Sequence, residues 1–342
     1  MSWANGTLVL GALLALRLVE AGIFCLLLRS SLLSFRKTVL FLMIGAGIQF
    51  VLGVFQVLLG HSLGLTWFGE PSIATDMVGV AKRNLAADVK QLRAYGTFLH
   101  ANIFAAYILI VYWVGKFTHG ASPKTQNFAS LQGAGPPLFF LVAVLGLYFA
   151  FSWAAFAMFL GGVVFVFLFQ EIKSSTIQRR TMCGLFGLLI VLNMGMIFWQ
   201  QDVHLPSVKE RLEQIQISRS MIVDHPFGVG VGGYTLHMQD YASRRLSPWE
   251  FQPVHNVYFL VLNELGIQGL ILFLFFFGYY VYRSFFRAPI GSAAVDPYKF
   301  VLFFSVLVLA SVDHFFWDSW VGLMLATLAL LLFKINYYKI QN

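Results

Sequence analysis

His255 is the clearest candidate for chemistry in this chain. It stands in Pro253-Val254-His255-Asn256, at the mouth of a long apolar run. Imidazole exchanges protons near neutral pH, so His255 can serve as general base for an alcohol nucleophile. The alternative is a structural histidine that caps the following helix together with Asn256. Glu264, nine residues on and followed by Gly266 and Gly269, either orients His255 or faces a helix bundle.

Two arginines have the right chemistry for an anion. Residues 206–224 (PSVKERLEQIQISRSMIVD) read as an amphipathic helix, with Pro206 at a first helical position and Glu210 near the positive dipole end. Leu212, Ile215 and Ile222 share one face by spacing, and Arg219 projects from that same face. A guanidinium aimed at a packed side needs an anionic partner. That partner is either a nearby acid such as Asp240 or an oxyanion of a ligand, whose geometry the planar fork matches. The second arginine, Arg93, opens the run Arg93-Ala94-Tyr95-Gly96-Thr97-Phe98-Leu99-His100-Ala101-Asn102. It stands at a span entrance with His100 and Asn102 just inside, where polar groups are expensive and face a cavity or a partner.

Other polar residues have alternative readings. Arg17 and Glu20, three apart in the first span, read as a mutually satisfied pair. Asp313, His314 and Asp318 gather at another span edge, as a cavity wall or as ordinary interfacial groups. Gly228, Gly230 and Gly233 match the spacing of a dinucleotide loop, but that loop needs a preceding strand in a βαβ unit. Here a helix precedes it, so Pro226 and the glycines imply a helix stop followed by tight turns or close backbone approach.

The elements that must position these residues are membrane helices. Of 342 residues, 58% are hydrophobic and 11% charged, against roughly 25% charged in a soluble domain. The composition predicts an all-α polytopic bundle forming a single membrane domain over 1–342. A net charge of +8 fits cytoplasmic Lys and Arg beside the spans, and no basic stripe with interleaved aromatics points to nucleic acid. Cys25 and Cys183 offer neither a disulfide framework nor a metal-thiolate spacing.

Nine spans are predicted, at about 7–28, 38–59, 98–114, 137–151, 154–170, 182–199, 257–282, 298–312 and 319–333. Read as a hairpin turning near Ser152, the stretch 138–169 puts Lys116, Lys124, Lys173, Arg179 and Arg180 on one side, as the positive-inside tendency prefers. The N-terminus is then outside and the C-terminus inside. Two long segments face outward, 60–97 and 200–256, the second containing the helix 206–224.

Three blocks of this sequence resemble the O-antigen ligase and polymerase family of membrane glycosyltransferases. They are RAYGTFLHAN (93–102), RSMIVDHPFGVG (219–230) and VHNVYFLVLNELGIQG (254–269). The resemblance runs over roughly residues 90–330. It implies a helix bundle with a helical outer loop over a lipid-facing cavity in the bacterial cytoplasmic membrane, with the active site on the extracytoplasmic face. The implied chemistry is transfer of a glycan from an undecaprenyl-diphosphate carrier to a hydroxyl of a glycan, glycolipid or protein, with no metal or other cofactor. Arg93 and Arg219 would hold the diphosphate and His255 would take the acceptor proton. His100, Asn102, Asn256, Glu264, Asp313 and His314 would support them. This sequence departs from the family in having fewer spans than the usual dozen. It also has Trp153 after Ser152, where members commonly carry an arginine, so the missing charge is either lost or supplied by Lys82, Arg83, Arg244 or Arg245. A transporter or flippase of a lipid-linked sugar is the competing reading, yet no internal repeat of the kind such proteins show is visible. A non-catalytic scaffold would not need Arg93, Arg219 and His255 to meet.

Overall fold

The computed structural model describes residues 3–30, 34–85, 89–120, 135–172, 174–198, 206–286 and 296–332. Lys124 and Lys173, counted above, residues 86–88 of the first long segment and residues 200–205 of the second lie outside them. Among the described residues the fold is all-α apart from one small hairpin. Nine helices coincide with the expected spans: α1 Trp3–Arg29, α2 Phe35–Leu59, α3 Ala101–Gly120, α4 Gly135–Ala150, α5 Trp153–Glu171, α6 Ser175–Phe198, α9 Val257–Val281, α10 Pro297–Val312 and α12 Trp320–Leu332. Among the described residues five are long and apolar enough to cross a membrane, in α1, α2, α3, α5 and α9, and the shorter α4, α10 and α12 are apolar too. Between α6 and α9 stand α7 Pro206–Asp224 and α8 Gly233–Tyr241, and between α10 and α12 the single turn α11 Phe315–Asp318. Between α2 and α3 a hairpin pairs β1 Lys82–Asn84 with β2 Lys90–Leu92.

The chain reverses at Ser152 as the charge pattern requires. Phe151 takes a positive φ of 49°, and the rings of Phe140 and Phe159 lie 5.5 Å apart. In one continuous helix these residues would be separated by roughly 28 Å.

The residues gather into two compact units. One contains 25–168, 296–309 and 331–342; the other contains 1–24, 169–295 and 310–330. In the first, α2, α3 and α4 pack on one another. Helix α3 is apolar on all sides and buried accordingly: Phe104, Ala105, Leu109, Val114 and Phe117 have no exposed surface. Two glutamines of α2, seven residues apart and so on one face, hold the block that leads into α3. Gln49 accepts from the Thr97 amide and donates to its hydroxyl, both at 2.8 Å. Buried Gln56 accepts from the amides of Tyr95 and Gly96 and donates to the Gly96 carbonyl and to Glu70. A Cβ on Gly96 would lie 2.2 Å from Gln49 Oε1, which is why a glycine precedes Thr97.

In the second unit, α9 is broken at Gly266, whose φ of 71° and ψ of −172° leave the helical region. The break frees backbone groups, and the glycine-rich loop after α7 takes them up. The amides of Val229 and Gly230 donate to the carbonyls of Asn263 and Glu264, each at 2.9 Å, and the Ile267 amide donates to the Pro226 carbonyl at 3.0 Å. Such contact demands bare backbone on both sides: a Cβ on Gly228 would sit 2.5 Å from the Glu264 carbonyl oxygen, and one on Gly266 would sit 2.3 Å from the Phe227 carbonyl carbon. These glycines thus serve the close-approach role, with a helix as the partner. Arg17 and Glu20 do not pair with each other. Arg17 donates to the Asp318 carbonyl and Glu20 accepts from the Trp320 indole, so both fasten α1 to the corner between α10 and α12. The i,i+3 spacing allowed the internal pair, but partners on that corner lie within reach.

Gly228→Ala and Gly266→Ala are each expected to destabilise the protein, by about 1–3 kcal/mol from backbone strain and a comparable amount from overpacking. Gly278→Ala, where nothing lies within 4 Å, is expected to leave the thermal midpoint in detergent unchanged.

Candidate active site

Helix α7 carries the scaffold of the site on its most buried face. That face consists of Gln214, Ile217, Ser218 and Met221, at helical spacing. Leu212, Ile215, Arg219 and Ile222 flank it, half-buried. The apolar spacing therefore placed the packed face slightly wrongly, because two of its four members are polar and were not counted. Both are satisfied. Asn263 of α9 donates to the Ser218 hydroxyl at 2.5 Å, and Gln214 Oε1 lies 2.7 Å from His255 Nδ1. The Tyr234 hydroxyl of α8 donates to the Gln214 carbonyl at 3.0 Å, which fixes the backbone beneath that contact.

Asn256, not His255, caps α9. Its side-chain oxygen accepts from the amides of Tyr258 and Phe259, and its amide donates to Asn193 of α6 and to the Ser311 carbonyl. With the cap assigned to Asn256, the His255 imidazole is directed elsewhere. Its ring lies 5.2 Å from that of His314, edge to face. Ligand atoms of His255, His314 and buried Asp313 fall within 4.8 Å of one another, a spacing that suits a shared proton or a small cation. The first use fits His314 better. Its Nδ1 is 2.8 Å from Asp318 Oδ2, and its Nε2 is 4.0 Å from Asp313 Oδ1. Burial alone would lower the His314 pKa, but the hydrogen bond to Asp318 and the charges of Asp318 and Asp313 outweigh burial and the repulsion from Arg211, so the value is raised above the ordinary 6.5.

Glu264 is also buried, but its carboxylate accepts from the Trp317 indole at 2.8 Å; it faces the bundle and does not orient His255. Among the described residues no hydrogen bond or ion pair engages Arg219. Asp240 instead lies 3.5 Å from His237. Gln214, Arg211, Trp317 and Asn263 complete this neighbourhood, and the sequence reading had singled out none of them. Arg211 had one available signal: it stands one helical turn before Gln214, on a segment already read as a helix.

Arg93, His100 and Asn102 belong to the other unit. Arg93 Nε donates to the Ala150 carbonyl and Nη2 to Asn102 Oδ1, both at 2.6 Å, so this arginine ties the start of α3 to the end of α4. His100 Nδ1 accepts from the Asn102 amide at 3.1 Å. Arg83 reaches the same corner, with its guanidinium 5.0 Å from the Tyr148 ring centroid and 5.5 Å from that of Phe151. The α4–α5 corner, where Trp153 stands in place of a basic residue, therefore has two guanidiniums beside it. Lys82 donates instead to the carbonyls of Thr75 and Met77. Arg244 is held by Glu213 and Glu250, an ion pair that with the Ser247 amide draws the Glu250 carboxyl down to about 2.

Fold and site together define a multi-pass helical membrane protein that carries a half-buried histidine–carboxylate cluster beside a helical connecting segment. Residues 138–274 match the family model described as O-antigen ligase. That stretch, about two fifths of the chain, includes Gln214, Arg219, the glycine loop, His255, Asn256 and Glu264, and over it the chain is similar to O-antigen ligases. No curated protein matches the chain.

A raised His314 pKa has a consequence for stability. The contribution of this group is fully present below the ordinary histidine value and is lost as pH rises through the raised folded value. The thermal midpoint is expected to fall as pH rises above about 6.5, and Asp318→Asn should flatten that fall in thermal-shift measurements across pH 6 to 9.

Proposed function

We propose that this protein transfers a glycan from an undecaprenyl-diphosphate carrier to an acceptor hydroxyl on the extracytoplasmic face of the bacterial cytoplasmic membrane. The family match supports glycan transfer of the O-antigen ligase type in general. The observation that carries the specific reading is the oriented imidazole of His255, held through Nδ1 by Gln214 of α7, the helix that also carries Arg219, which no described residue engages. In the proposed step the acceptor oxygen attacks the anomeric carbon while His255 Nε2 takes its proton. The bond from that carbon to the diphosphate oxygen breaks, and undecaprenyl diphosphate leaves with the electron pair. One direct displacement inverts the anomeric centre.

Arg219 stabilises the charge that develops on the diphosphate. Preorganised cations of this kind do that work without a metal. The part given to Arg93 rests on the resemblance of its block, and Arg83 is the residue that answers the missing arginine at the α4–α5 corner. Asn256 fixes the backbone beside the base, and Asp313 with His314 sets the charge around it. One observation favours the competing transporter reading: α9 is discontinuous, and broken helices build transporter sites. Against it, the backbone groups freed at Gly266 are taken by residues 226–230, so they are not left for a substrate or an ion.

Purified protein reconstituted with an undecaprenyl-diphosphate glycan and an acceptor tests the proposal. His255→Ala is expected to lower transfer by at least about 10²-fold, the lower range for loss of a general base, while donor binding persists. Arg219→Ala should weaken donor binding and turnover together. Normal transfer by the His255 variant, or labelling of residue 255 from the cytosolic side only, would defeat the proposal.

A further inference from the structure

The structure assigns Gln214 as the positioning residue that selects the tautomer and the aim of the His255 imidazole, an inference that rests on the base role proposed above. An imidazole can act as base only through the nitrogen that lacks a proton, and its partner at the other nitrogen decides which one that is. Gln214 Oε1 can only accept, so at 2.7 Å it holds the proton on Nδ1 and presents Nε2 as the basic atom. Gln214 is 3% exposed, so water does not compete for this bond.

The framework that holds the amide is rigid on two sides. The Tyr234 hydroxyl pins the carbonyl of residue 214, and Ser218, one turn on, is joined to Asn263 of α9. His255 itself directly precedes the Asn256 cap. Both members of the pair are thus fixed before any substrate arrives. The partner is also neutral, unlike the aspartate that orients histidine in serine hydrolases. A neutral orienter fixes the ring without adding a carboxylate on the Nδ1 side. The acids in the neighbourhood, Asp313 and Asp318, are engaged with His314.

Three variants and two readouts test this assignment. Gln214→Leu keeps the side-chain size but cannot accept. It is expected to lower kcat by about 10²-fold or more, as loss of a correctly held base does, with the KM for the lipid-linked donor changed less than about threefold, the pattern of an interaction that acts in the transition state. Gln214→Glu restores an acceptor at Nδ1 and is expected to recover most of the lost kcat, which a merely structural defect would not allow. Independently of catalysis, ¹⁵N spectra of histidine-labelled protein, with the His255 signal identified by its loss in His255→Gln, should show the Nδ1–H tautomer in the native protein and a mixture in Gln214→Leu. Native kcat in Gln214→Leu, no recovery in Gln214→Glu, or an Nε2–H tautomer in the native protein would each overturn the assignment. If His255→Ala retains transfer, the base role fails; the tautomer spectra still decide whether Gln214 orients the ring.

Discussion

The second unit depends on one exchange of backbone hydrogen bonds. Breaking a helix inside a membrane is tolerated only when the groups it frees find new partners. Here the break at Gly266 is met by residues 226–230, which supply two amides and one carbonyl. The exchange draws the end of α7 against the middle of α9, and the other contacts follow from that proximity. Asn263 reaches Ser218, Gln214 reaches His255, and Gln268 reaches the Phe227 carbonyl. The loop glycines and the helix glycine are two halves of one device, since a side chain on either would hold the strands of backbone apart.

Charge in this unit is arranged unevenly. Arg244, largely exposed, is saturated by two carboxylates, and a pair of that kind contributes little beyond fastening the segment around residues 244–250 to α7. His314 sits between two aspartates that favour its protonated form. Arg219, half-buried on α7, is engaged by none of the described acids. A guanidinium that no described acid engages is suited to an anion that comes and goes, because no partner among the described residues has to be displaced first.

Much of the framework was legible in the sequence because membranes simplify the code. A helix at each of the nine expected spans, five of them long and apolar enough to cross a membrane, the reversal at Ser152 and the helix from Pro206 came from apolar length, charge asymmetry and a helix start signal. The candidate residues were also visible, since His255 and Arg93 are chemically conspicuous at span mouths and Arg219 stands out among the apolar positions of a connecting helix. What escaped was everything set by polar groups packed inward. Gln214 and Ser218 sit on the buried face of α7, but periodicity counts only apolar residues, so it placed that face one flank over. Arg17 and Glu20 have partners three hundred residues away on the corner beside α12, and no local spacing announces this. The same is true of Glu264, whose partner Trp317 lies on a different helix. Glycine spacing alone was ambiguous until a helix appeared as the partner.

The Asn256 cap constrains how a substrate can be met. Four hydrogen bonds, to two amides of its own helix, to α6 and to the end of α10, leave this side chain no alternative conformation that keeps them. His255 directly precedes this cap, and its ring is held in turn by Gln214. Under the proposed function, a bulky glycan end would have to be delivered to a stationary imidazole, which would leave the choice among incoming sugars to whatever lines the approach.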